Sequence, residues 1–428
     1  MPIDQSRSPE VYLNLNVRGM GESATLAINE RSRRLTAQGK QVYRLGLGQS
    51  PFPVPEHVRE SLAKNAHQKD YLPVKGLLAL REAVVDWVKR TEGLDYSADN
   101  VVVGPGTKEL MFLVQLVYCG DLVIPSPSWV SYAPQAQVIG RRIHWLRTRP
   151  ETGLGVEPEV VEELCRQDPN RPRLLILNSP SNPTGLCYSA DQLRSLAEVL
   201  RKYRVLALSD EIYSDTHFKG EHISLARYYP EGTIISNGLS KWCGAGGWRL
   251  GFFVFPQSMS WLANAVAAVA SETFTSTSAP IQYAAVTALE DHQEMASYLL
   301  HSRQILSALS NYAYKTLSDA GAVMNRSAGG FYLFPRFEAH RQELALRGID
   351  NGQAFCEHLL EENGVAVLPG HCFGRPAQEL SARIAVVDFD GGRALKQANS
   401  QVVDENFIKQ HCNRVTTAIE RLVAWSKS

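Results

Sequence analysis

Two segments of the chain place reactive side chains directly after short apolar runs. The first run leads to Asp210, and Tyr213 follows three residues later. The second is followed by a turn containing Gly and Ser that ends at Lys241, and Arg249 follows eight residues later among glycines. Ligands of open α/β sheets bind at the carboxyl ends of the strands, so these side chains can contact one ligand. Burial lowers the pKa of a lysine and makes it a usable nucleophile or base.

Each of these residues also has an ordinary structural interpretation. An acid such as Asp210 is typical of a helix N-cap, with Tyr213 packed in the core, and a lone lysine is more often solvated. The surroundings of Arg249 favour function, because glycines allow close backbone approach to a ligand and a planar guanidinium suits a phosphate.

Two further segments have the same position after an apolar run. A strand-like run is followed by a turn at Gly106, and a helix begins near Thr107 and Lys108, which presents amide groups to an anion. The dinucleotide fingerprint fails because Glu109 replaces its third glycine, and a plain strand-to-helix turn is equally compatible. In the second segment two prolines and a glycine form a rigid turn that holds Asn182, with cis peptide bonds as one option.

Together the four segments match the needs of pyridoxal 5′-phosphate. They offer a lysine for a Schiff base, an acid for a ring nitrogen, a phenol and an amide for a ring oxygen, and an arginine with a helix start for a phosphate. No single motif decides this interpretation, which depends on their common position at strand ends.

These segments resemble the class I and II aminotransferases of the fold-type I pyridoxal-phosphate superfamily, including bacterial aspartate and aromatic aminotransferases. The resemblance covers about residues 23–383 and is most specific at Lys241 and the following Gly-Trp-Arg-Leu-Gly. It implies that Lys241 forms the Schiff base and moves the substrate proton, and that Asp210 pairs with the ring nitrogen. It also implies roles for the remaining cofactor-binding residues: Tyr213 and Asn182 at the ring oxygen, and Gly106, Thr107, Lys108 and Arg249 at the phosphate.

The same resemblance extends to the ring face, the substrate and a second subunit. It implies that Trp129 stacks on the cofactor ring, although a core tryptophan is the alternative. Tyr71 corresponds to a tyrosine that, in the family, reaches the phosphate bound by the neighbouring subunit. The resemblance therefore implies a homodimer with shared sites. The backbone of Gly48, with Asn182, faces the substrate, and Arg383 binds the substrate α-carboxylate, for which a forked donor is suited.

Substrate choice depends on weaker signals. Lys108 and the segment 23–25 resemble positions that contact a distal carboxylate in some bacterial aspartate aminotransferases, although Lys108 is equally compatible with a solvated residue. We expect an aminotransferase with ping-pong kinetics that transfers an amino group from an L-amino acid to a 2-oxo acid, with an acidic substrate as one option. The alternatives are aromatic or neutral substrates, a C–S lyase or ACC-synthase-like elimination on the same fold, and a non-enzymatic relative.

Composition excludes several other classes. The 428 residues include 44 Lys and Arg against 44 Asp and Glu, so the formal net charge is zero. The chain therefore lacks the basic excess that is typical of nucleic-acid-binding proteins. No apolar stretch is long enough for a membrane span, and the first residues lack the basic-then-apolar order of a secretory signal. The seven cysteines are odd in number and include no Cys-x-x-Cys pair, so the sequence predicts neither a zinc site nor a set of disulfides. Reduced cysteines are typical of cytoplasmic proteins, and we therefore expect a cytoplasmic location.

The elements that position these residues follow from apolar patterning. Buried strands are predicted near 100–103, 121–124, 174–177, 205–208 and 233–235, alternating with amphipathic helices. This pattern predicts an α/β fold with a mainly parallel sheet covered by helices, plus a smaller α+β domain from both chain ends. We divide the chain into 1–54 (N-terminal arm and part of the small domain), 55–309 (large cofactor-binding domain) and 310–428 (small domain). The polar stretch 388–405 is predicted as a surface insertion.

Overall fold

The computed structural model describes residues 12–21, 23–290 and 292–427. The strands are β1 (Tyr43–Arg44), β2 (Val101–Gly104), β3 (Asp121–Ser126), β4 (Ile143–Arg147), β5 (Arg173–Asn178), β6 (Leu206–Asp210), β7 (Thr233–Gly238), β8 (Gly251–Val254), β9 (Tyr332–Leu333), β10 (Val365–Ala366), β11 (Leu368–Pro369) and β12 (Ala382–Ala385). The helices are α1 (Ala24–Ala37), α2 (Glu56–Lys64), α3 (Leu78–Glu92), α4 (Thr107–Val117), α5 (Tyr132–Val138), α6 (Pro158–Gln167), α7 (Ala190–Lys202), α8 (Ser260–Glu272), α9 (Ala279–Leu289), α10 (Gln293–Asp319), α11 (Arg341–Leu346), α12 (Gly352–Asn363), α13 (Gly391–Ala398), α14 (Glu405–His411) and α15 (Asn413–Ser426).

A seven-stranded sheet forms the centre, in the order β2-β8-β7-β6-β5-β3-β4. The strands from β7 through β4 run parallel, and β8 lies antiparallel between β2 and β7. The predicted α/β class with a mainly parallel sheet is therefore confirmed, and all five predicted strands are present. Sequence patterning missed β4, whose residues are only partly buried, and the short β8.

Side chains of the central strands pack on both faces of the sheet. Leu174 and Ile176 join a cluster with α4 and α8, whereas Leu175 and Leu177 join another with α6 and α7. Successive residues of a strand point to opposite faces, and both faces here are covered. This double burial is why the strands read as continuous apolar runs in the sequence.

The carboxyl ends of β5, β6 and β7 lie side by side. Asn178 pairs with Asp210, and Asp210 pairs with Ser236 on the next strand. The register therefore brings the residues that follow these strands to one edge of the sheet. The helix after the β5 turn, α7, begins with a capping box, in which the Ser189 hydroxyl and the Gln192 side chain each bond the other's backbone amide.

Both ends of the chain contribute to a second hydrophobic core. β1 pairs in parallel with β10, and one cluster extends from Tyr43 to Trp425. Part of the stretch predicted as a surface insertion forms α13, which buries Ala394 in this core and exposes Arg393 and Lys396. The division into domains stays a prediction.

Within the described ranges, no helix is both long enough and apolar enough to cross a membrane. All seven cysteines are free. The prediction that the chain starts without a secretory signal concerns its first residues, and of these 1–11 lie outside the described ranges.

Candidate active site

A cavity of about 520 Å³ opens at the carboxyl edge of the central sheet. Its walls come from the ends of β5, β6 and β7, the first turns of α1 and α4, and strands β9 and β12. All predicted site residues line it except two, Gly106 and Tyr71. The lining residues among them are Gly48, Thr107, Lys108, Trp129, Asn182, Asp210, Tyr213, Lys241, Arg249 and Arg383.

Asp210 is buried with only one carboxylate oxygen bonded. Oδ2 accepts a hydrogen bond of 2.5 Å from the Tyr132 hydroxyl, and Oδ1 is buried with no partner. Burial raises the pKa of Asp210 to about 6, and donation from Tyr132 opposes that rise. A protonated ring nitrogen is the kind of donor that Oδ1 lacks. Sequence reasoning missed Tyr132, although it lies three residues after the predicted Trp129.

Lys241 follows β7 and is partly buried. Its Nζ donates a hydrogen bond of 2.6 Å to the Gly48 carbonyl and lies 5.6 Å from the Tyr213 ring centroid. Burial, assisted by the charge of Arg383, lowers the Lys241 pKa to about 8. The amine is therefore substantially neutral near pH 8, as nucleophilic attack requires.

A second tyrosine accompanies Tyr213. The hydroxyls of Tyr213 and Tyr332 lie 2.8 Å apart, and burial raises the pKa of both phenols. The Tyr332 ring also lies 4.6 Å from the guanidinium carbon of Arg383. Tyr332 lines the cavity but was not predicted, because no spacing links β9 to the strand-end segments.

Arg383 is 1% exposed and lies on β12. It donates hydrogen bonds to Asn182 Oδ1 at 3.0 Å and to the Gly46 carbonyl at 2.5 Å, while its Nε has no partner. Burial lowers its pKa from the ordinary arginine value. A buried guanidinium with an unused N–H beside a cavity is suited to a carboxylate ligand.

The turn that holds Asn182 is bonded to the ends of two strands. Asn178 Oδ1 accepts from the Asn182 amide at 2.6 Å, and its Nδ2 donates to the Asp210 carbonyl at 2.7 Å. The peptide bonds before Pro180 and Pro183 are cis, one of the two options that the sequence left open.

A glycine turn and an arginine form a compact cradle at the start of α4. Gly106 has φ +92°, and a Cβ there would lie 2.3 Å from Arg249 Nη2. Arg249 adopts a left-handed backbone conformation and donates to the carbonyls of Gly246 at 3.0 Å and Pro105 at 3.3 Å. Gly238, at the end of β7, leaves no room for a side chain, because a Cβ there would lie 2.7 Å from the Leu250 carbonyl oxygen.

Trp129 and Lys108 contact each other at the cavity wall. The Lys108 Nζ lies 5.1 Å from the indole centroid, and burial followed by the charge of Arg249 lowers the pKa of Lys108. The Trp129 ring meets Tyr132 edge to face at 5.3 Å. Tyr71 is 91% exposed and does not line the cavity of its own chain.

The donor set fits pyridoxal phosphate. The unpartnered Asp210 oxygen suits a ring N–H, the amine of Lys241 suits an aldehyde, and Arg249 with the first amides of α4 suits a phosphate.

Known proteins share this arrangement of sequence and fold. The family model "Aminotransferase class I and II" matches residues 40–389. The aspartate aminotransferase of Geobacillus stearothermophilus is 34% identical over 370 residues, covering 84% of this chain and 91% of that protein. The aspartate/prephenate aminotransferase of Thermus thermophilus is 32% identical over 366 residues, covering 84% and 91%. The solved structure of the Thermus thermophilus aspartate aminotransferase with maleate has a TM-score of 0.82 at 28% identity, covering 97% of this chain and 100% of that one.

Proposed function

Because this chain belongs to the aminotransferase class I and II family, we propose that it transfers the amino group of an acidic L-amino acid to a 2-oxo acid. Membership makes the protein a transaminase, an enzyme class that depends on pyridoxal phosphate. The choice of an acidic substrate, the roles of individual residues and the assembly are parts of the proposal.

The observation that carries the cofactor assignment is the pair of Asp210 and Lys241 facing one cavity. When bound, pyridoxal phosphate supplies an aldehyde carbon that amines bond and a pyridinium ring that withdraws electrons. Asp210 Oδ1 holds the proton on the ring nitrogen, while Tyr213 and Asn182 donate to the ring oxygen. Arg249 and the amides of Thr107 and Lys108 bind the phosphate, with Gly106 leaving room for the guanidinium.

Lys241 and its neighbours control the proton of the substrate α-carbon. With the pKa of Lys241 lowered to about 8, Nζ can accept this proton and return it near neutral pH. The Gly48 carbonyl, 2.6 Å from Nζ, orients the amine towards the substrate side of the cavity. The Tyr213 ring, whose centroid lies 5.6 Å from Nζ, restricts the movement of the Lys241 amine.

Two cations of the cavity each bind one carboxylate of an acidic substrate. Arg383, with its unused N–H, binds the α-carboxylate, and Lys108 binds the distal one. Lys108 shares the cavity wall with Thr25, whose hydroxyl lies 3.0 Å from that of Ser23. Support comes from the relatives' names as aspartate aminotransferases and from the solved structure of the Thermus enzyme with maleate, which is a dicarboxylate.

The test is a screen of amino donors against 2-oxo acid acceptors, including prephenate, on protein saturated with pyridoxal phosphate. We expect aspartate or glutamate to be the best donor, and Lys108→Gln to raise the KM for acidic donors about ten-fold while sparing neutral ones. Equal loss for both donor types would contradict the role of Lys108. Preference of the wild type for aromatic or neutral amino donors would contradict the proposal that the substrate is acidic.

A second measurement separates transfer from elimination. Lys241→Ala is expected to lower amino transfer by about 10²–10⁴-fold, whereas Lys219→Ala, at an exposed lysine, is expected to leave it unchanged. Release of pyruvate or ammonia from a single substrate, without an acceptor, would favour a lyase instead.

We also propose that the enzyme works as a homodimer in the cytoplasm. The exposure of Tyr71 outside its own cavity supports a role in a neighbouring subunit. Seven cysteines with no Cys-x-x-Cys pair support a reducing compartment.

A further inference from the structure

A second concave site, which we name the basic pocket, lies between the last turn of α1, strand β1 and helix α15. It has a volume of about 380 Å³. Its lining residues are Arg33, Thr36, Lys40, Gln41, Val42, Arg44 and Arg414. None of them lines the candidate active site.

Four of the seven lining residues are cationic, and none is acidic. Within the described part of the chain, the side chains of Arg33, Lys40 and Arg44 have no ion pair and no hydrogen bond. Arginines elsewhere on the surface are commonly paired, as Arg201 is with Glu231 at 2.6 Å and Arg341 with Glu338 at 2.6 Å. Other arginines of the described chain, such as Arg34 and Arg142, are unpaired as well, but Arg33, Lys40 and Arg44 differ from them in surrounding one concavity that no carboxylate lines.

The fourth cation, Arg414, is fixed by several contacts and is already paired with a carboxylate. Arg414 bonds Asp388 Oδ2 at 2.8 Å and the Val42 carbonyl at 2.7 Å, and its guanidinium lies 5.2 Å from the Tyr43 ring centroid. The same Asp388 oxygen also accepts from the Arg44 backbone amide at 2.9 Å. Asp388 makes these bonds through one oxygen, and within the described chain it forms no ion pair with the other three cations.

We propose that the basic pocket binds a phosphorylated small molecule carrying two or more negative charges. Guanidinium groups bind phosphate oxygens in pairs, and three unpaired cations around one concavity match such a ligand. The chain has no net positive charge, so this concentration is local rather than a general attraction for polyanions. A concavity of about 380 Å³ is large enough for a small molecule, whereas nucleic acid is bound along extended basic surfaces.

The test measures binding of inorganic pyrophosphate by calorimetry at physiological salt, which screens weak surface attraction. The protein is saturated with pyridoxal phosphate, so that the cavity at Arg249 is already filled. We compare the wild type with the double variant Arg33→Gln/Arg44→Gln and with Arg34→Gln, an exposed arginine of the same helix that does not line the pocket. The double variant is expected to bind about ten-fold more weakly or worse, and Arg34→Gln within about two-fold of wild type.

The variants are expected to fold normally, because neither substituted side chain bonds another residue; an unchanged melting temperature checks this. Equal affinity of wild type and double variant would overturn the proposal, because the anion would then bind elsewhere. Absence of pyrophosphate binding to the wild type would overturn the proposal as well. A single-stranded oligonucleotide is titrated in parallel, and a protein that binds the oligonucleotide but not pyrophosphate would also contradict it. None of these readouts uses transaminase activity, so the inference stands or fails separately from the proposed function.

Discussion

Asp210 combines two opposing influences on a single carboxylate. Burial raises its pKa to about 6, so its charged form is costly unless donors surround it. Tyr132 supplies one donor, and the other oxygen is left for a ligand. A second donor bound at Oδ1 is therefore expected to stabilise the ionised form further.

Replacing Tyr132 by Phe removes the donor at Asp210 Oδ2. The hydrogen bond favours the ionised carboxylate, so its loss raises the pKa of Asp210 further above about 6 and protonates more of it at low pH. A hydrogen bond to a charged group contributes about 1.5–3 kcal/mol, so we expect kcat/KM at pH 6 to fall about ten-fold or more, with less loss at pH 8.5. The measurement is a pH profile of amino transfer.

Tyr96→Phe is the matched control for Tyr132→Phe. The Tyr96 hydroxyl is buried with no hydrogen-bond partner and does not line the cavity, so its removal is expected to leave the pH profile unchanged. A Tyr132→Phe profile that coincides with the wild-type profile would contradict the assigned role of Tyr132.

The turn between β2 and α4 offers a test at the level of an element. In Gly106→Ala the new Cβ overlaps Arg249 Nη2 and the backbone at φ +92° is strained, so the guanidinium must move. We expect the affinity for pyridoxal phosphate to fall about ten-fold or more, measured by absorbance titration. Gly392→Ala, at a glycine that does not line the cavity and whose added carbon would make no contact closer than 3.5 Å, is expected to retain wild-type affinity. Equal affinities for both variants would show that the turn does not set the position of Arg249.

The capping box of α7 contributes to stability rather than to chemistry. Ser189→Ala removes the acceptor for the Gln192 amide and is expected to lower the free energy of unfolding by about 1 kcal/mol in urea denaturation. Ser195→Ala, at an exposed position inside the same helix, is expected to change it by less than about 0.5 kcal/mol. Amino transfer should be unchanged in both, and a selective loss of activity in Ser189→Ala would indicate that α7 positions the Asn182 turn.

At the scale of the whole molecule, the proposed homodimer predicts complementation between two inactive variants. Tyr71→Ala and Lys241→Ala are unfolded together and refolded as a mixture. If each site uses Lys241 of one subunit and Tyr71 of the other, every mixed dimer has one intact site. Random pairing makes half of the dimers mixed, so the expected activity is about a quarter of wild type.

Each variant refolded alone provides the control for this experiment. A mixture no more active than the mean of the two separate variants would mean that Tyr71 acts within its own chain or not at all. Sedimentation of the wild type checks independently that a dimer is present.

Much of the fold and most of the site could be predicted from the sequence. Continuous apolar runs identified five of the six strands that share one direction, because such strands are buried on both faces. Residues that directly follow those runs, such as Asp210 and Lys241, could be placed at one edge because the carboxyl ends of parallel strands meet there. Short or half-exposed strands such as β4 lack this signal and were missed.

The sequence by itself determined which side chains follow each strand, and hence which chemistry the cavity can carry. Only the tertiary structure decided which of them contact each other: Tyr132 on Asp210, Tyr332 beside Tyr213, and the cations around the basic pocket. These pairs are far apart in the chain and have no common spacing, because packing between separate elements brings them together. The same packing buries Asp210 and partly buries Lys241, and this loss of solvent shifts their pKa values towards the range in which they can exchange protons.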